Sequence, residues 1–78
     1  MKAEAVKQLR TSYDLTQAQV AVLLGLGHGK RVSEIETGNM DVSPAVATKI
    51  VIIRHFRPTR VKVLKLIEKI EGEVKNGY

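Results

Sequence analysis

From Gly25 to Arg31 the chain reads Gly-Leu-Gly-His-Gly-Lys-Arg, three glycines around a histidine with two cations behind them. A loop of that composition could wrap a phosphate in backbone N–H groups at the start of a helix. The nucleotide patterns are incomplete, however. A phosphate-binding loop needs glycine where Leu24 stands and Ser or Thr after its lysine, where this chain has Arg31. A dinucleotide loop needs its third glycine where Lys30 stands, behind a strand that the sequence does not provide. His28 and His55 lie far apart, with neither cysteine nor a dense carboxylate cluster beside them, so no metal site is expected. No Ser, Thr or Tyr stands in a motif that would join it to a histidine and a carboxylate in a nucleophilic triad. The expectation is a protein that is not an enzyme and carries no cofactor.

What remains is cationic. Thirteen Lys and Arg against eight Asp and Glu give a formal charge of +5, a balance that favours polyanions such as nucleic acid or an anionic membrane surface. Lys30 and Arg31 stand together, and six basic residues (Lys49, Arg54, Arg57, Arg60, Lys62, Lys65) fall between Lys49 and Ile67 with no acidic one. A basic amphipathic helix can lie on a membrane, but Glu68, Glu71 and Glu73 return negative charge and no Trp or Phe anchors the apolar stripe of the tail. No stretch approaches the ~20 apolar residues of a membrane span, so no membrane partner is expected. The N-terminal residues carry charge where a signal peptide needs an apolar core, and the chain has no cysteine for a disulfide framework. Both features point to the cytoplasm.

The elements that position these groups follow from length and periodicity. Seventy-eight residues make a single domain over 1–78 with one core. A chain of this size buries only roughly 60% of its unfolded surface, which favours cover by a second subunit. Ala5, Val6 and Leu9 fall three and four residues apart, predicting a first helix over about Lys2 to Tyr13, with Asp14 at its exit. Thr16 and Gln19 form a capping box ahead of Ala18, Val20, Ala21, Leu23 and Leu24, so a second helix starts there. The glycines from Gly25 to Gly29 then predict a turn. A third helix over Lys30 to Thr37 places Val32 and Ile35 on one side, and Gly38 stops it. Ser43 and Pro44 open a fourth, whose apolar face is Val46, Ala47, Ile50, Val51 and Ile53 and which ends before Pro58. In the last segment Arg60-Val61-Lys62-Val63 alternates like a strand, whereas Val63, Leu66, Ile67, Ile70 and Val74 repeat like a helix. The longer repeat favours a helix over about 59–75.

Several of these residues together resemble the lambda-repressor/Cro-like family of helix-turn-helix proteins, also called Xre-type. They are Leu9-Arg10, Leu15-Thr16-Gln17, Ala21, Leu24-Gly25-Leu26 and Val32-Ser33-Glu34-Ile35-Glu36-Thr37-Gly38, within a span of about Val6 to Ile50. The turn at Gly27-His28-Gly29 is one residue longer than the family's usual connection. The resemblance implies an all-α, five-helix lambda-repressor-like domain with its motif at about 16–37, binding double-stranded DNA through the helix at 30–37.

An α-helix fits the major groove, where base edges present distinguishable donors, acceptors and methyl groups. The resemblance makes Lys30 and Arg31 the first base readers, with Ser33 and Glu34 behind them. Arg can bond a guanine edge bidentately, and Glu34 could accept from a cytosine amine. Gln17, Thr37 and Asn39 match backbone-contacting positions, and His28 can reach a phosphate from the turn. Arg10 and Glu36 match an ion pair tying the first helix to the third. A homodimer through the C-terminal stripe, on a two-fold operator, would carry two reading helices ~34 Å apart. A chain with no room for an effector domain implies a repressor. The alternative function on the same fold is a protein-interaction module, an antitoxin or adaptor component.

Overall fold

The structure, a computed structural model, describes residues 3–77; Lys2 and the side chain of Val74 lie outside the described residues. It is all-helical: α1 (Ala3–Ser12), α2 (Gln17–Leu24), α3 (Gly29–Glu36), α4 (Pro44–Phe56) and α5 (Arg60–Gly77), with no strand among the described residues. None of these helices is long and apolar enough to cross a membrane.

Local chemistry fixes the helix ends. The Thr16 amide donates to Gln19 Oε1 at 2.9 Å while the Gln19 amide donates to Thr16 Oγ1 at 3.1 Å, so both arms of the capping box are closed. The Val46 amide donates to Ser43 Oγ, and Pro44 supplies the preset dihedral of the first α4 residue. At its far end α2 stops on Gly25 in the left-handed region, where the Leu26 amide reaches back to Ala21 O at 2.8 Å. α3 stops the same way, with Gly38 left-handed and the Asn39 amide on Glu34 O at 2.8 Å. α1 exits through Asp14, also left-handed, and α4 through Arg57.

α2 is the central element. It packs against α3, α4 and α5, while α1 covers α3 and α4. Its short sequence is apolar on nearly every side, with Val20, Ala21, Leu23 and Leu24 all buried, as a helix surrounded by others must be. Each of the other helices contributes two buried side chains to the core around it: Val6 and Leu9, Val32 and Ile35, Val46 and Ile50, Val63 and Ile67. Leu15 and Leu26 close the core from the connections.

Two sequence expectations change in detail, and the helix expected from about residue 59 is present. α3 begins one residue earlier, at Gly29, and Thr37 is its cap rather than its last residue. The segment from Arg60 is helical, because Val63 and Ile67, four apart, both enter the core and a strand would part them. The apolar faces of α4 and α5 are only partly used, since Val51 and Ile52 on α4 and Leu66 on α5 are about half exposed and Ile70 is half-buried.

Candidate nucleic-acid interface

The position of α3 depends on Gly29. A Cβ there would stand 3.1 Å from the Ala18 backbone nitrogen and 3.3 Å from the Gln17 carbonyl carbon, so any side chain would push the starts of α3 and α2 apart by a few tenths of an ångström, and glycine lets them rest together. Two helix N-termini thus lie side by side, neither with a carboxylate in its first turn. Their unsatisfied N–H groups and dipole ends add up in one place, which favours an anion. Gln17, the first residue of α2, is half-buried there, and exposed His28 caps α3 through its backbone while its side chain makes no cap bond.

Val32 and Ile35, 0% and 1% exposed, seat α3 on the core. The opposite side carries Lys30, Glu34 and Thr37 at helical spacing, flanked by Arg31 and Ser33. Lys30 and Arg31 are exposed and make no ion pair among the described residues, whereas Ser33 and Glu34 are half-buried. At the far end the Thr37 hydroxyl donates to the Ser33 and Glu34 carbonyls and accepts from Asn39 Nδ2 at 3.2 Å. Thr37 and Asn39 are therefore held as one polar corner beside Gly38.

α3 is tied to α1 from behind. Arg10 donates from Nε and one terminal nitrogen to the two carboxylate oxygens of Glu36, both at 2.9 Å. This fork-on-fork geometry adds direction to charge. The hydrogen bond to Glu36 pushes the Arg10 guanidinium up from its already high value; burial opposes that and the attraction of the carboxylate reinforces it. His55 lies elsewhere, exposed at the end of α4 and edge-on to Phe56 with ring centres 5.0 Å apart.

Sequence reasoning missed two supports of this arrangement. The Lys49 ammonium donates to Leu24 O at 3.3 Å, holding the carbonyl end of α2 just before the turn. The Arg60 guanidinium donates to the carbonyls of Tyr13 and Asp14, while the Tyr13 hydroxyl donates to Pro58 O at 2.8 Å. The signal for Gly29 was present, because a two-glycine turn is enough to leave α2 and a third glycine is surplus to it. Set beside known proteins, the chain matches no protein-family model, no curated protein and no solved structure.

Proposed function

We propose that this chain is a sequence-specific double-stranded DNA-binding regulator with a lambda-repressor-like helix-turn-helix fold, acting as a repressor. α3 enters the major groove, Lys30 and Arg31 read base edges at its leading end, and Ser33 and Glu34 adjust the choice of base. Gln17, His28, Thr37 and Asn39 hold the phosphate backbone and set the register. The observation that carries the reading is the two-sidedness of α3, with Val32 and Ile35 buried beneath and two cations, without an ion pair among the described residues, exposed beside paired helix N-termini.

Selection of bound duplexes from a random pool is the direct test. The expected product is a two-fold-related sequence with half-sites about one helical turn apart; a pool that returns no shared sequence overturns the reading. Gln17→Ala should weaken every duplex about equally, by roughly 3- to 10-fold for one lost hydrogen bond. Fluorescence anisotropy on specific and scrambled duplexes checks this, and loss confined to one sequence counts against a backbone role.

A homodimer follows from the two-fold operator, and the structure offers a face for it. Phe56 is 74% exposed and stands one turn after Ile52, which with Leu23, Ile53 and Leu66 lines an apolar groove of about 230 Å³. Each Phe56 of a two-fold pair fills the groove of the other copy, which makes the contact self-complementary. Phe56→Ser should weaken association at least about 30-fold, the size of an aromatic anchor's contribution. Sedimentation at several concentrations reads the shift, and an unchanged profile sinks this interface. The same exposed face favours the second reading, a protein-interaction module such as an antitoxin or adaptor component. Under that reading the chain sediments as a monomer, free and with DNA.

A further inference from the structure

α1 and the last turns of α4 border a half-open cavity of about 390 Å³, within the ~300–1,000 Å³ usual for small-molecule sites. Its floor is apolar, built from buried Leu9 and half-buried Ile53. Its end wall is Tyr13, immobilised by the hydroxyl bond to Pro58 O. Its rim holds two guanidinium groups, Arg54 and Arg57, and no carboxylate lines it. Neither arginine has an ion-pair partner among the described residues. Arg54 in the last turn of α4 and Arg57 just past its end place two like charges on one rim, with no carboxylate there to offset them.

The backbone at Arg57 sharpens the point. Its φ of 47° and ψ of 55° lie in the left-handed region, where a Cβ is strained and glycine is not. α2 and α3 exit through a left-handed glycine, Gly25 and Gly38, and α1 through the short polar Asp14. α4 ends on an arginine instead, at a cost to its own stability, and that side chain lines the cavity with no ion-pair or hydrogen-bond partner among the described residues. Strain of this kind concentrates where a side chain serves a ligand.

We propose that this cavity binds a small amphipathic carboxylate. The apolar body lies on Leu9 and Ile53 against the Tyr13 ring, and the carboxylate bridges Arg54 and Arg57, whose planar forks match its two oxygens. The ligand anion relieves the repulsion between the two cations. This site uses none of the residues assigned to DNA, and its test contains no DNA, so its failure and the failure of the DNA reading are separate results.

The probes are hydrocinnamate and its neutral amide, titrated into isotope-labelled protein and followed by backbone amide shifts. Hydrocinnamate should saturate with shifts centred on residues 8–13 and 53–57, and the amide should bind at least about tenfold more weakly. Arg57→Gly is expected to raise the melting temperature, because it removes the backbone strain, and at the same time to lower hydrocinnamate affinity at least about tenfold. Opposite signs for stability and binding are the signature of a residue kept for a ligand. Equal affinity for acid and amide, shifts centred on Leu23, Ile52 and Leu66 instead, undiminished binding by Arg57→Gly, or no saturation by about 10 mM would each overturn the proposal.

Discussion

With Lys30 and Arg31 both changed to alanine, the chain should fold and self-associate as before but lose its preference for one duplex over another. Both side chains are exposed and belong to neither the core nor an ion pair, so their removal opens no cavity and leaves no buried charge. Each good bidentate base contact contributes about 1–3 kcal/mol of discrimination. Two such contacts in each of two half-sites amount to at least about a hundredfold in the ratio of specific to non-specific affinity. Competition binding with selected and scrambled duplexes measures that ratio. The variant should also show a shallower dependence of affinity on salt, since two cations per subunit are gone. If the ratio is unchanged, Lys30 and Arg31 are not the readers.

A second large effect is expected at the tie behind α3. Arg10→Ala leaves the Glu36 carboxylate, whose side chain is only 9% exposed, without the two hydrogen bonds that offset its partial burial. A lost charge-assisted bond costs about 1.5–3 kcal/mol, and the partial exposure of Arg10 argues for the middle of that range, about 2 kcal/mol. For a domain of this size that lowers the melting temperature by roughly 8–16 °C. Arg10→Met together with Glu36→Met should recover most of the loss, because the expense lies in stranding one partner rather than in removing the pair. Urea melts of the single and double variants decide; a double variant no more stable than the single would mean that the pair itself holds the fold. The sign of the pH dependence is also set. The Arg10 pKa is raised on folding by the hydrogen bond to Glu36, so its contribution is complete at neutral and moderately alkaline pH and is lost only in strong alkali.

The helix ends were legible because their chemistry is local. Thr16 with Gln19, Ser43 with Pro44, and Gly38 each act on residues within four positions, and their side chains leave few alternatives. Long-range contacts were not legible from periodicity. Arg10 and Glu36 stand 26 residues apart, and only the family resemblance brought them together before the structure did. Tyr13 and Pro58 are 45 apart, with no pattern to join them. The apolar face of α4 misled for a related reason. Periodicity counts Val46, Ile50 and Val51 alike, but α1 and α2 cover only one side of that helix, so Val46 and Ile50 enter the core while Val51 stays 55% exposed. On α3, spacing identified the outward side chains, but the one-residue shift of its start to Gly29 required the close approach to α2.

The burial of α2 beneath α5 has a consequence for how the protein comes into being. Val63 and Ile67 supply the last cover for the central helix, and the Arg60 bonds that lock the final connection reach back to Tyr13 and Asp14. A chain emerging from the ribosome therefore leaves part of the apolar surface of α2 uncovered until its fifth helix is free of the exit tunnel. Interrupted synthesis, or a nonsense codon anywhere before that helix, then yields a sticky fragment for proteases to clear instead of a shortened chain that still folds.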